Sequence, residues 1–242
     1  MGYIYPSMRV ALLSDAHLMG PDDPNQRLIL TFLERLEVDE LCILGDFFQA
    51  WWHYGAEPFP EYRPLVDALR RFKLSFTPGN HDFHAPGFLE RELGATVGRT
   101  LTPRWDGLRV HLSHGDSADR SFQYALACAA LRGRPFAAWM DLLGPERGWR
   151  FLNRLAGRPH GGPDPVLITE QLRQARAHLG SHDLVVMGHT HAPGLYRSQA
   201  GTFVNLGDWV VHHSWLMVDN GVPQMFSHQD GRDLAVPEVR PL

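Results

Sequence analysis

The sequence predicts an α/β domain with two β-sheets, and three features predict it. Short apolar runs, Val10 to Leu13, Leu41 to Leu44, Val110 to Leu112 and Leu184 to Met187, stop at Gly or Ser, as buried strands do. Segments of helical periodicity separate them. The last part of the chain, Thr202 to Val204, Trp215 to Val218 and Gln224 to Phe226, alternates or is β-rich and is expected to supply the second sheet.

Taken in order, Asp23 can cap a helix with Pro24 in its first turn, and Leu28, Ile29, Phe32, Leu33 and Leu36 mark its apolar face. Tyr62, Leu65, Val66 and Leu69 mark a second helix. Leu74 to Phe76 reads as another strand, and Thr169 to Leu179 as a helix ending at Gly180. Between lie three helix-like stretches, Ser121 to Leu131, Phe136 to Leu143 and Glu146 to Leu155, broken by Gly and Pro. They hold too much apolar surface for a loop and are expected to form a helical cap, residues 117–160, inserted in one domain spanning 1–242. No Pro/Gly/Ser-rich linker, internal repeat or low-complexity segment divides the chain.

The net charge of −4 argues against a nucleic-acid partner. Lys73 is the only lysine, so an arginine is not by itself a phosphate clamp. Cys42 and Cys128 form no redox or zinc motif, Met1 to Leu13 lacks a signal-peptide core, and no run approaches a membrane span. The expectation is a cytoplasmic protein.

Five clusters carry the chemistry: Ser14-Asp15-Ala16-His17, Gly45-Asp46, Gly79-Asn80-His81-Asp82, His114-Gly115-Asp116 and Gly188-His189-Thr190-His191. Each follows one of the strand-like runs, and open α/β sheets bind ligands at the carboxyl ends of their strands, so the clusters should converge. Three carboxylate or amide oxygens and four imidazoles suit two mid-size divalent ions, whose water-completed shells serve phosphoester chemistry. Asp15 and His17 are two apart, as are His189 and His191, so extended backbone would point each pair to one side. Asp116 is expected to orient His114 or a turn. His53, His84, His111, His178, His182 and His228 read as ordinary surface or hydrogen-bonded histidines.

In this order and spacing the motifs resemble those of the calcineurin-like metallophosphoesterase superfamily, from Met8 to about Val218. The resemblance implies a two-sheet sandwich flanked by helices. It also implies one ion held by Asp15, His17 and His191, another held by Asn80, His114 and His189, and Asp46 bridging them. Ions about 3.5–4 Å apart acidify a shared water and clamp the phosphoryl oxygens. His81, beside Asn80, is expected to act as general acid or transition-state donor, and Asp82 to orient a ligand or His81.

The cap, with Ile43 to Trp51 and Leu206-Gly207-Asp208-Trp209, resembles one group in that superfamily, the UDP-2,3-diacylglucosamine diphosphatases. That resemblance implies cleavage of a lipid-sugar pyrophosphate to UMP and acyl-sugar 1-phosphate. Manganese is the usual metal, with iron, zinc and magnesium as alternatives. Residues 117–160 hold seven arginines against three acids, so Arg147, Arg150, Arg154 and Trp139 of the cap are assigned to an anionic amphiphile or an anionic membrane surface on the inner face. His212 either lines the substrate mouth or caps a strand.

Two positions depart from the pattern. His81 stands where the typical diphosphatase has arginine, and Gln49 stands where many superfamily members have an aspartate supporting the catalytic histidine. His81 therefore needs another orienting partner, Asp15 or Asp82. The alternatives are a general metallophosphodiesterase or phosphomonoesterase, favoured by His81, and a non-catalytic interaction module, disfavoured by the complete ligand set.

Overall fold

The structure is a computed structural model describing residues 8–118, 130–131, 133–157, 164–229, 231–236 and 239–242. It opens with β1 (Arg9–Leu13), α1 (Pro24–Arg35), β2 (Glu40–Leu44) and a small hairpin, β3 (His53–Tyr54) and β4 (Glu57–Pro58). Next come α2 (Arg63–Leu69), β5 (Leu74–Thr77), α3 (Pro86–Leu93), β6 (Thr96–Val97), β7 (Thr100–Leu101), β8 (Arg104–Trp105) and β9 (Leu108–Ser113). The cap helix α4 (Arg134–Ala156) precedes α5 (Pro165–His178), β10 (Leu184–Met187), β11 (Gly194–Ser198) and β12 (Gly201–Asn205). The chain ends with β13 (Ser214–Asp219), β14 (Val222–Gln229), β15 (Arg232–Ala235) and β16 (Val239–Pro241).

Two sheets pack face to face. One has the order β15-β14-β13-β1-β2-β5-β6 and the other β16-β11-β12-β10-β9-β7. Val10, Leu12, Cys42 and Leu44 of the first meet Val110, Leu112, Leu184 and Val186 of the second. Alternate residues of the first sheet, among them Ala11, Leu13, Leu41 and Ile43, face a second core built with α1, α2 and α3. Val185 and Met187 face α5. Burial on both faces is why these strands read as continuous apolar runs.

The β-rich end divides between the sheets. Of the three expected strands the first, β12, joins the second sheet, whereas β13 pairs antiparallel with β1, and β14 follows it. Alternation specifies which face of a strand is buried, not which sheet it enters. The helix expected from Thr169 begins earlier, at Pro165, where Asp164 accepts the Val166 N–H at 2.8 Å. Its first turn escaped periodicity because Val166 is exposed. At α1 the Asp23 cap accepts the Asn25 N–H at 2.9 Å, as the sequence predicts.

Within α4 the backbone breaks at Gly144 (φ 70°, ψ 173°), just before Pro145, making two packed helices. Their Trp139 and Phe151 rings meet edge to face at 4.3 Å. Trp149 rests edge-on against Phe59 (5.3 Å) and Tyr62 (4.9 Å), and the Tyr54 hydroxyl donates to the Met140 carbonyl at 3.2 Å. The first expected cap helix lies outside the described residues apart from Ala130 and Leu131. Among the described residues no helix is long and apolar enough to cross a membrane.

Trp149→Ala should destabilise the cap by about 2–3 kcal/mol, below the ~3–5 kcal/mol typical of a fully buried aromatic. Hydrogen exchange should then quicken in α4 while the sheets keep their protection. Unchanged exchange in α4 would mean that the aromatic contacts do not hold the cap.

Candidate metal centre

All five motif clusters sit where β1, β2, β5, β9 and β10 end, so both sheets deliver donors to one rim. Backbone hydrogen bonds join the loops: Asp15 N–H to Gly45 O at 3.0 Å, His17 N–H to Asp46 O at 2.9 Å, and Gly188 N–H to His114 O at 2.9 Å. The expectation of extended backbone fails here. Asp15 (φ 53°), His17 (46°), Asp46 (50°), His189 (71°) and His191 (51°) are all left-handed. Such conformations cost about 1–3 kcal/mol each and persist where the surroundings enforce them. They turn His189 and His191 toward different donor groups rather than to one side.

The first group is Asp15, His17 and His191; the second is Asp46, His114 and His189, with donor atoms in each within 4.8 Å of one another. His17 Nε2 lies 3.3 Å from His191 Nε2, which is 3.4 Å from Asp15 Oδ1. In the second group His114 Nε2 lies 3.3 Å from Asn80 Oδ1 and 3.4 Å from Asp46 Oδ2. Asp46 Oδ2 is also 3.9 Å from His17 Nε2, which places it between the groups.

These donors fit a pair of divalent ions. Atoms sharing one ion at ~2.0–2.2 Å stand roughly 3–3.5 Å apart, as these do. Two of the four imidazoles are fixed from behind: His114 Nδ1–H donates to Leu44 O (2.8 Å) and His17 Nδ1–H to Gln49 Oε1 (2.9 Å). That tautomer turns the Nε2 lone pairs inward. Asp15 Oδ1 and His189 Nε2 are buried without a hydrogen-bond partner. Such orphaned buried groups, one in each donor set, are stable when a cation satisfies them.

Charge agrees. Burial pushes the Asp46 carboxyl up, but His114, His81 and His17 outweigh it and hold it well below the usual range. Burial likewise opposes charging of His114, yet Asp46, Asp15 and Asp116 draw its pKa well above the ordinary imidazole value. Metal binding at neutral pH must therefore displace a proton from His114.

Asp82 takes a bracing role. Its Oδ1 accepts the Gly79 N–H and its Oδ2 the Phe47 N–H, both at 2.8 Å, tying the Asn80 loop to the Asp46 loop. Burial, with Asp46 nearby, pushes its pKa up to about 7. His81 finds neither expected partner: its Nδ1–H donates to the Gln49 backbone carbonyl at 2.9 Å, while its N–H donates to Asp46 Oδ1. The reason is local, since the Gln49 peptide lies beside the ring and Asp82 is already committed to two backbone amides. Asp116 begins a turn and pairs with Arg99 at 3.6 Å, and it makes no bond to the His114 ring nitrogen, which Leu44 occupies.

Gln49 has a second connection. Its Nε2 donates to the carbonyls of Gly157 (2.9 Å) and Ala156 (3.3 Å), so one buried side chain joins ligand His17 to the end of the cap. A cavity of about 190 Å³ opens beside Asn80 and His81, lined also by Trp51, Phe83, Phe136 and Leu152. Sequence reasoning missed Phe83 and Leu152; the signal for Phe83 was its place directly after the Asn80 motif.

Arg147, Arg150 and Arg154 are exposed on the cap, away from this lining, and Arg150 pairs with Glu146 at 2.9 Å. Trp139 packs on Phe151 and is likewise outside the lining. His212 is held by Asp208 and lines, with His191, a second cavity of about 540 Å³.

Two donor groups on either side of one buried carboxylate, at the rim of two packed sheets, make a candidate centre for divalent metal of the kind phosphoester hydrolysis uses. Residues 8–193 match the calcineurin-like phosphoesterase family, and the chain belongs to it. It is 26% identical to the UDP-2,3-diacylglucosamine hydrolase of Porphyromonas gingivalis, over 92% of this chain and 98% of that protein. The corresponding hydrolase of Azotobacter vinelandii is 28% identical over 88% and 95%. Among solved structures, vacuolar protein sorting 29 of Cryptosporidium parvum shares the fold (TM-score 0.52, 14% identity, 95% and 96% covered). The chain is thus a metal-dependent hydrolase of phosphate esters or anhydrides, in a family that uses divalent metals.

Asp46→Asn should abolish two-ion occupancy and turnover, read by metal analysis beside kinetics; normal metal content with full activity would contradict the bridging role. Gln49→Leu removes the acceptor that fixes His17 and should weaken metal affinity about 10–100-fold. Calorimetry of Mn2+ binding in buffers of different ionisation enthalpy should show proton release at neutral pH, and more of it as the pH falls.

Proposed function

We propose that this enzyme hydrolyses the pyrophosphate of a UDP-linked acylated amino sugar, UDP-2,3-diacylglucosamine, to UMP and the acyl-sugar 1-phosphate, with Mn2+ as its metal. The observation that carries this reading is the apolar cavity beside Asn80 and His81, between the metal centre and the cap, where Trp51, Phe83, Phe136 and Leu152 suit acyl chains. In this reading the larger cavity lined by His191 and His212 receives the nucleotide. The similar hydrolases of known name support the same substrate.

When bound, two divalent ions supply Lewis-acid stabilisation and an acidified water. The chain's residues do the rest. Asp15, His17 and His191 would hold one ion, Asn80, His114 and His189 the other, and Asp46 would serve both. His81, held through Nδ1–H by the Gln49 carbonyl, presents its other nitrogen to the phosphoryl group. As general acid it donates a proton to the leaving oxygen and stabilises developing negative charge.

The cap exposes Leu142 and Leu155 among Arg147, Arg150 and Arg154, a surface suited to anionic headgroups. This favours a cytoplasmic enzyme working peripherally on the inner face of the membrane. A second reading, a phosphodiesterase of wider range, is favoured by His81 itself: an imidazole can protonate an alkoxide, which an arginine cannot.

Mn2+-dependent turnover of UDP-2,3-diacylglucosamine, UDP-N-acetylglucosamine and a chromogenic phosphodiester, with products identified by mass, separates the readings. Preferential release of UMP from the acylated substrate is expected; cleavage of the simple diester alone would overturn the lipid assignment. His81→Ala should lower kcat by roughly 10²–10⁴ with metal content intact.

A further inference from the structure

A second cluster of imidazoles lies on the outer face of the second sheet. His111 on β9 pairs in register with Val185 and so faces α5. His178 ends α5, and His182 follows in the turn leading to β10. The ring centroids of His111 and His178 are 3.9 Å apart, and those of His111 and His182 are 5.3 Å apart. One ring nitrogen from each of the three lies within 4.8 Å of the others.

The charge balance around them is unusual. His111 is buried, and burial first, then the neighbouring His178 and His182, push its pKa down to about 4. The nearest carboxylate in sequence, Asp183, is committed to Arg109, accepting from its backbone N–H (2.9 Å), Nε (3.0 Å) and Nη2 (2.6 Å). Burial and His182 lower His178 as well. His111 and His178 therefore favour the unprotonated form, and among the described residues no carboxylate acts on either. His182 Nδ1–H donates to the His178 carbonyl at 3.2 Å, leaving Nε2 as its free donor atom, the same arrangement that His17 and His114 show at the main centre.

We propose that His111, His178 and His182 form a separate mononuclear site for a transition-metal dication of the zinc type, with water as fourth ligand. Neutral imidazoles without carboxylates select borderline metals such as Zn2+ over Mg2+ or Ca2+. Tetrahedral zinc sets its nitrogens about 3.3 Å apart. The rings close to that separation by moving His178 and His182, which sit at a helix end and in a turn and are only partly buried. The ion would fasten α5 and the turn before β10 to β9. Those two strands deliver His114, His189 and His191, so this site steadies the scaffold of the dinuclear centre without touching substrate.

The test uses the full chain freed of metal, reloaded with Zn2+ and dialysed, with zinc counted by mass spectrometry. Wild type should hold one zinc more than His182→Gln and one more than His178→Gln, and the difference should persist in an Asp46→Asn background. In that background Zn2+ should raise the Tm only when all three histidines are present. Two results would overturn the proposal: equal zinc counts and Tm responses with and without His178 and His182, or the same loss from His53→Gln, a histidine outside the cluster.

Discussion

The architecture turns on one buried negative charge, the Asp46 carboxylate, held between two sets of imidazoles. Such a carboxylate costs several kcal/mol to bury unless positive charge and hydrogen bonds offset it. The offset comes from loops of both sheets, which is why the strand ends must meet closely. A Cβ on Gly79 would collide with the Asp46 carboxylate, and one on Gly45 would stand 2.7 Å from His114 Nδ1. Glycine at these two positions lets the loops close, and Gly45 also adopts φ 79°. Asp82 then locks the closed loops together from beneath through the Gly79 and Phe47 amides.

From this centre the structure passes outward to the cap through Gln49. The same side chain accepts from His17 and donates to the cap's final carbonyls, while the Gln49 carbonyl holds His81. One residue thereby positions His17, His81 and the end of the cap. An aspartate at this position could accept from His17 but could not donate to the carbonyls of Ala156 and Gly157, so the glutamine fits a centre with a cap packed against it. The aromatic seat of Trp149 on Phe59 and Tyr62 supplies the apolar half of that docking.

The donor set was legible in the sequence because Asp15, Asp46, Asn80, His114 and His189 each follow an apolar run that could only be a buried strand. The cap's helix break was legible at Gly144-Pro145 for the same local reason. The left-handed backbone at Asp15, His17 and His191 was not, since nothing local prefers it; the loops packed around it enforce it. The partner of His81 was hidden because it is a main-chain carbonyl, which carries no residue signature. Likewise His111, His178 and His182 look ordinary one by one, and only the pairing of β9 with β10 brings them together. Strand alternation placed faces correctly but could not assign β13 and β14 to a sheet, because that depends on the long-range pairing with β1.

The most direct test of the shared-carboxylate account is anomalous diffraction from crystals grown with Mn2+. The account predicts two manganese peaks about 3.5–4 Å apart, one beside Asp15, His17 and His191 and one beside Asn80, His114 and His189, with Asp46 touching both. A single peak, or two peaks with Asp46 bound to only one of them, would contradict it.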